Sequence, residues 1–208
     1  MSARFITLEG GEGTGKSTQA RSLAAALEVR GIASIVTREP GGSPGAEDIR
    51  KLLVEGEPWR WGTLTETLLM FAARSDHVVR TIKPALEAGK WVICDRFTDS
   101  TYAYQGAGRG LDRETIRRLE SASIGDFRPD LTLVLDLPVS VGLERANARK
   151  SAETRFEKFD AAFHEKLRAA FRDIANRHAD RCVTIEALGS EDEVAALIWK
   201  TVATRFSL

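Results

Sequence analysis

The chain has 208 residues, of which 43% are hydrophobic, so its length favours one domain with a sizeable core over two domains. Thirty lysines and arginines balance thirty aspartates and glutamates, which excludes a general nucleic-acid or membrane-surface binder that works through overall positive charge. We find no leader of signal type and no apolar run near the ~18 residues of a membrane span. We therefore expect a soluble, cytoplasmic protein with a single domain over residues 1–208.

Short β-rich segments alternate with helical patterns along the chain. The predicted strands are Phe5–Leu8, Ser34–Thr37, Trp91–Cys94, Leu131–Asp136 and Cys182–Ile185. Helices are predicted over residues 16–29, 44–55, 65–88, 112–123, 138–149, 157–178 and 190–205. Because the strands are apolar with little alternation, both faces of their sheet should be covered. The pattern predicts an α/β fold, a five-stranded parallel sheet flanked by helices, with ligands beyond the carboxyl ends of the strands.

The cysteines and histidines show no spacing typical of a metal site. Cys94 and Cys182 lie in apolar strands, where a reduced thiol serves as a small core residue. For His77 and His164, packing or helix capping accounts for the residue at least as well as chemistry does. We therefore predict no histidine or cysteine metal centre.

The first strand is followed by "GGEGTGKS", which matches the P-loop pattern G-x-x-x-x-G-K-[ST] between a strand and a helix. Successive backbone N–H groups and the positive end of the helix would form a phosphate pocket. Lys16 should reach the β- and γ-phosphates of ATP, and the Ser17 hydroxyl should ligate Mg²⁺. A glycine-rich turn with a helix cap would leave Lys16 unexplained. The predicted ATP-binding residues are Gly10, Gly11, Glu12, Gly13, Thr14, Gly15, Lys16, Ser17 and Thr18.

A charged pair, Asp95 and Arg96, follows the third predicted strand. The carboxylate can hold Mg²⁺ or polarise an acceptor, and the guanidinium can clamp a phosphate through two hydrogen bonds. A surface pair that caps the strand is the alternative. The hydroxyl, aromatic and amide side chains that follow favour ligand contacts, and they belong to Thr101, Tyr104 and Gln105.

A second candidate pocket combines an aromatic ring with a guanidinium. Phe71 and Arg74 are three residues apart on a predicted helix and are therefore neighbours on its surface. Such a pair suits a planar heterocycle that is stacked by one group and hydrogen-bonded by the other. Core packing of the aromatic is the alternative, and the pattern alone does not decide between them.

Several segments together resemble bacterial thymidylate kinases, which transfer the γ-phosphoryl group of ATP to dTMP and give dTDP. They are "LEGGEGTGKST", "TREPGG", "FAARSDH", "IKPALEAGKWVICDRF", "STYAYQG" and "FRPDLTLVLDLP". The resemblance covers nearly the whole chain, and "TREPGG" and "STYAYQG" are more specific than the P-loop. It implies a P-loop NTPase fold, a step of dTTP biosynthesis, Mg²⁺ dependence, and a homodimer formed through helices near 65–88 and 112–123. It implies no nucleic-acid or membrane partner.

The resemblance also implies roles for single residues. Arg50 and Arg96 would hold the dTMP phosphate, and Arg74 would hydrogen-bond the base. The stacking phenylalanine of the family falls at Met70, with Phe71 one place later, so the side chain over thymine stays open. The implied dTMP-binding residues are Glu39, Arg50, Met70, Phe71, Arg74, Arg96, Thr101, Tyr104 and Gln105.

A basic stretch at about 142–157 is predicted to be a lid over ATP. A solvated helix end with Glu–Arg pairs is the alternative on pattern alone. The P-loop contains no arginine, which resembles the family arrangement with catalytic arginines in the lid. The choice between Arg149 and Arg155 as the principal catalytic cation stays open, and we expect both to contribute. The predicted catalytic residues are Lys16, Asp95, Arg96, Arg149 and Arg155, and the predicted metal ligands are Ser17 and Asp95. A kinase for another deoxynucleoside monophosphate, or a P-loop switch or ATPase, is the rival function.

Overall fold

Five parallel strands form one sheet in this computed structural model, which describes residues 2–148 and 155–208. The spatial order of the strands is β2-β3-β1-β4-β5. Their bounds are β1 Phe5–Glu9, β2 Ser34–Arg38, β3 Trp91–Asp95, β4 Leu131–Asp136 and β5 Cys182–Glu186. Every strand begins at its predicted residue, so the predicted five-stranded parallel sheet is confirmed.

Helices connect the strands and cover both faces of the sheet. Their bounds are α1 Lys16–Glu28, α2 Pro44–Val54, α3 Thr63–His77, α4 Lys83–Glu87, α5 Thr98–Thr101, α6 Arg113–Ile124, α7 Val139–Asn147, α8 Ala161–Arg177 and α9 Glu191–Phe206. Two segments are π-helical, Val78–Ile82 and Tyr102–Gly108. Within the described ranges, no helix has the length and apolar character needed to cross a membrane.

Alternate strand residues supply the apolar cores on the two faces. The core on one face joins four strands to α1 and α9 and includes Ile6, Leu8, Leu23, Leu27, Ile93, Leu133, Ile185, Ile198 and Val202. The opposite face carries two cores. The first involves α8 and includes Val134, Leu167 and Phe171. The second involves α6 and the first π-helical segment and includes Phe5, Val78, Ile82 and Ile124. Neighbouring residues such as Phe5 and Ile6 enter different cores because strand side chains alternate. This is the predicted three-layer α/β fold.

The segment predicted as a helix over 65–88 is helical without a break from Thr63 to Glu87, but it is not a regular α-helix throughout. α3, the π-helical segment Val78–Ile82 and α4 follow one another directly. Pro84 has no backbone N–H and its ring clashes with the carbonyl four residues earlier, so a regular α-helical ladder cannot pass through it. The wider π turn accommodates that interruption.

Two other helical segments differ from the prediction, one in its start and one in its existence. The helix predicted from 157 begins at Ala161, because the Asp160 side chain accepts a hydrogen bond from the Phe163 backbone N–H and caps it there. The sequence reading assigns no helix to residues 98–108, where α5 and the second π-helical segment lie. Cys94 and Cys182 are free and buried, as predicted.

The carboxyl ends of β1, β2 and β3 meet at one edge of the sheet. Asp95 of β3 is in register with Leu8 of β1 on one side and with Arg38 of β2 on the other. The segments that leave these three strands therefore converge, and they carry the residues predicted to bind ligands.

Candidate active site

The loop between β1 and α1 depends on glycine at two positions. Gly13 has φ of 69°, in the left-handed region that other residues rarely adopt. A Cβ atom on Gly13 would lie 1.9 Å from the carbonyl oxygen of Gly142, and one on Gly142 would lie 2.5 Å from the carbonyl oxygen of Glu12. The P-loop thus packs backbone against backbone on α7, and side chains at these two positions would separate them.

The Lys16 ammonium is buried at the centre of this loop. Its Nζ donates hydrogen bonds to the carbonyl oxygens of Gly10 at 3.2 Å and Gly11 at 2.6 Å, and it contacts Thr14 Oγ1. Burial and the positive charge of Arg96 lower the pKa of Lys16 to about 8, so the group is charged at neutral pH. Phosphate oxygens are stronger acceptors than amide carbonyls, so a bound nucleotide would exchange these contacts for better ones.

Two hard oxygen ligands meet beside Lys16. The Ser17 hydroxyl makes a close hydrogen bond to the carboxylate of Asp95, which ends β3. Mg²⁺ in phosphate sites usually takes one or two protein oxygens and completes its shell with phosphate and water. The described residues contain no group of three or more His, Cys, Asp or Glu that could cage a metal alone. The Ser17–Asp95 pair therefore fits a Mg²⁺ ion that arrives with a nucleotide.

Arg96 lies between the P-loop and the opposite wall. Its guanidinium donates to the Gly10 carbonyl oxygen at 2.8 Å and to Glu12 Oε1 at 3.1 Å, and its φ is 72°. Tyr104 donates its hydroxyl to the same Glu12 oxygen at 2.6 Å. Burial alone would raise the pKa of Glu12, but Arg96 and Lys16 outweigh burial and lower it to about 2. The Glu12 side chain, predicted only as part of the ATP cradle, thus faces Arg96 and Tyr104.

Glu9 is a supporting residue that the sequence reading missed. It is buried at the end of β1, where it accepts hydrogen bonds from the Phe97 backbone N–H at 2.7 Å and the Ser100 hydroxyl at 2.6 Å. Burial and the nearby Asp99 carboxylate raise the pKa of Glu9 to about 7. These contacts hold the turn that carries Arg96. The sequence does contain one indication of this role, because a charged residue directly follows an apolar strand segment.

A buried chain of polar side chains forms the far wall. Arg74 donates from Nε to Glu39 Oε2 at 2.7 Å and from NH1 to Thr101 Oγ1 at 3.0 Å. The other Glu39 oxygen lies 3.0 Å from His77 Nδ1, and His77 Nε2 lies 2.7 Å from Thr37 Oγ1. His77, which the sequence could not assign, therefore orients Glu39, and Glu39 orients Arg74.

Met70 and Phe71 take different places. Met70 lines the cavity described below. Phe71 is only 3% exposed, and its ring centre lies 4.9 Å from the Arg74 guanidinium carbon. Phe71 thus packs beneath Arg74, and Met70 is the side chain at the cavity wall.

The P-loop, Arg96 and the Glu39–Arg74 wall all line one cavity of about 420 Å³. Of the predicted dTMP-binding residues, those that line it are Glu39, Arg50, Met70, Arg74, Arg96, Thr101, Tyr104 and Gln105. Of the predicted ATP-binding residues, those that line it are Glu12, Gly13, Thr14, Gly15, Lys16 and Ser17. Phe97, Ser100 and Phe156 also line it and were not predicted. The cavity therefore connects a phosphate cradle to a pocket with buried hydrogen-bonding groups.

Of the two arginines predicted to act from the lid, the structure describes only Arg155. Arg149 lies outside the described residues. Arg155 is fully buried and is absent from the cavity wall, whereas the following Phe156 and Glu157 line it. Its guanidinium donates to backbone carbonyl oxygens near the end of α2 and lies against Glu66. A catalytic role for either arginine stays a prediction.

Comparisons with known proteins identify the family of the chain. The thymidylate kinase family model matches residues 8–198. Thymidylate kinases from Rhizorhabdus wittichii and Caulobacter vibrioides are 53% and 55% identical over 204 residues, covering 98% of this chain and of each relative. The crystal structure of thymidylate kinase from Ehrlichia chaffeensis superposes with a TM-score of 0.77 at 35% identity, covering 97% of this chain and 99% of that one. The chain belongs to the thymidylate kinase family.

Proposed function

We propose that the protein transfers the γ-phosphoryl group of ATP to dTMP and releases dTDP and ADP. The observation that carries this proposal is the continuous cavity that has Lys16 on the P-loop side and Arg74 and Gln105 on the other. The first side suits a triphosphate, and the second offers hydrogen-bonding groups to a planar base. The family of the chain supports the same pair of substrates.

At the donor side, the P-loop amides and Lys16 bind the phosphates of ATP. Ser17 and Asp95 would hold Mg²⁺, which neutralises charge on the β- and γ-phosphates when bound.

At the acceptor side, Arg50 and Arg96 align the dTMP phosphate, since both line the cavity. Arg74 donates to the thymine edge from a position fixed by Glu39. Met70 lies over the base, because Met70 lines the cavity whereas Phe71 is buried against Arg74. We therefore place Phe71 in a supporting role.

The transfer itself is a direct in-line displacement. A dTMP phosphate oxygen forms a bond to the γ-phosphorus as the bond to the β,γ-bridging oxygen breaks, and ADP leaves with those electrons. Negative charge spreads over the γ-phosphate oxygens, and the side chains of Lys16 and Arg96 stabilise it. Arg149 would supply further positive charge from the lid.

We also propose a homodimer, and exposed leucines on α3 support it. Leu64 and Leu68 are 49% and 48% exposed and lie one turn apart on the same face. Sedimentation should give about twice the chain mass of 22.9 kDa. Substituting both leucines with glutamate should give the monomer mass, because burying two negative charges without positive partners at the interface costs free energy.

A coupled assay of ADP release over a panel of nucleoside monophosphates tests the substrate. We expect dTMP to be preferred over every other acceptor by at least ~10-fold in kcat/KM. Preference for another deoxynucleoside monophosphate would contradict the proposal.

Arg96→Ala should lower dTMP-dependent turnover by ~100-fold or more, since it removes a contact to the transferring phosphates. A nucleotide-dependent switch would hydrolyse ATP slowly without an acceptor and would show no such loss.

A further inference from the structure

Glu66 is a buried carboxylate that neither the P-loop nor the predicted site explains. It lies in the first turn of α3 and has no exposed surface. Burying a charge is unfavourable unless partners compensate it, so a carboxylate here requires a reason. Its partners come from two other parts of the chain, the second π-helical segment and the end of the basic stretch.

One partner is the amide of Gln105. Gln105 Nε2 donates to Glu66 Oε1 at 2.8 Å, and the amide is itself buried. An ionised carboxylate only accepts hydrogen bonds, so it requires the NH₂ group of the amide to face it. Glu66 therefore fixes the orientation of Gln105, a residue that lines the acceptor side of the cavity.

The other partners are two guanidiniums. NH1 of Arg109 lies 2.7 Å and NH2 of Arg155 lies 2.5 Å from Glu66 Oε2. Neither N–H bond is aligned for a directed hydrogen bond to this oxygen, so opposite charge holds the group together. Arg155 is fully buried, and Glu66 is therefore the charge that permits its burial.

Arg155 in turn holds the end of α2. Its guanidinium donates to the carbonyl oxygens of Leu53 at 3.0 Å, Glu57 at 2.9 Å and Pro58 at 2.7 Å. The Leu53 carbonyl is one of the last four of α2, which a helix end leaves without partners of its own, and the other two lie in the loop that follows. The same helix carries Arg50, the predicted clamp of the acceptor phosphate.

We propose that Glu66 and Arg155 form a positioning pair that fixes Gln105 and the end of α2 around the acceptor pocket. Arg155 then acts through its neighbours rather than on a phosphate, which differs from the catalytic contact predicted from the sequence. The inference rests on the proposed function, because it concerns the binding of the acceptor. Removing either member should weaken dTMP binding more than it slows the chemical step.

The test measures KM for dTMP, kcat and thermal midpoint for Glu66→Gln, Arg155→Met and the double variant. We expect each single variant to raise KM for dTMP by ~10-fold while kcat changes by less than ~5-fold. The double variant should be no more than ~3-fold worse than the worse single variant, because both changes remove the same pair. Arg177→Met, at an exposed arginine of α8 that pairs with Asp173, is the matched control and should leave both constants unchanged.

Arg155→Lys covers the case in which Glu66→Gln fails to fold. It keeps a positive charge beside Glu66 but loses the planar fork that reaches three carbonyls, so KM should lie between wild type and Arg155→Met. A ~100-fold loss of kcat with unchanged KM in Arg155→Met would overturn the proposal, and so would effects that multiply in the double variant. A lower thermal midpoint with unchanged KM would also overturn it. Wild-type turnover with dTMP tests the proposed function separately.

Discussion

The two sides of the cavity are built in different ways. The donor side is one continuous loop, Gly10–Ser17, whose backbone and single lysine form the phosphate cradle. The acceptor side combines side chains from distant segments, such as Glu39, Arg74 and Thr101, in a buried network. A side-chain substitution does not remove the N–H groups of a backbone cradle, whereas a buried network leaves an unpaired group whenever one member is lost. Substitutions on the two sides should therefore separate in their effects on the two substrates.

The largest effect should come from the donor side. Lys16→Met removes the only ammonium in the P-loop and should lower kcat/KM for ATP by ~1000-fold, because that charge stabilises the transferring phosphoryl group. Binding of dTMP without ATP, measured by calorimetry, should stay within ~3-fold of wild type. Lys90→Met, which alters an exposed lysine before β3, is the control. A parallel loss of dTMP binding would show that the two sides are not separable.

Arg74→Met should give the converse result. Its loss removes a donor to the base and leaves Glu39 buried without its arginine, so dTMP binding should weaken by ~100-fold. ATP binding should stay within ~3-fold of wild type. The matched control is Arg177→Met, at an exposed arginine that pairs with Asp173 one turn earlier on α8. Equal weakening of both nucleotides would contradict the separation.

A smaller effect should appear where the two sides meet, at Glu9. Its pKa is raised to about 7 from 4.5, so the folded chain binds more protons than the unfolded chain between those pH values. The free energy of unfolding therefore falls as pH rises through that window, by up to about 3 kcal/mol from this group. Glu9→Gln cannot titrate, so its stability relative to wild type should rise between pH 5 and pH 8.

Urea unfolding at the two pH values measures this difference. Glu28→Gln, at an exposed position of α1, is the control and should keep the wild-type trend. A constant difference between Glu9→Gln and wild type across the window would show that the Glu9 carboxyl does not resist ionisation in the folded chain.

The contrast between the two sides also explains what the sequence could predict. The strands and the P-loop depend on local patterns, which are short apolar runs and the spacing of glycines, and both were predicted from the sequence. Residues such as Glu9 and Glu66 owe their roles to partners about 40 to 90 positions away, which no local pattern indicates. The placement of Met70 and Phe71 depended on the rotation of α3, and that is set by tertiary packing. The resemblance to the family supplied most acceptor residues that the pattern alone left open.

The approach of Gly13 to Gly142 has a consequence for how this enzyme can change. The two backbones are close enough that neither residue can acquire a side chain without forcing the P-loop away from α7. The backbone of α7, the helix that leads into the basic stretch, is therefore in direct contact with the loop that receives the triphosphate. A substitution that shifts α7 must move the nucleotide cradle as well.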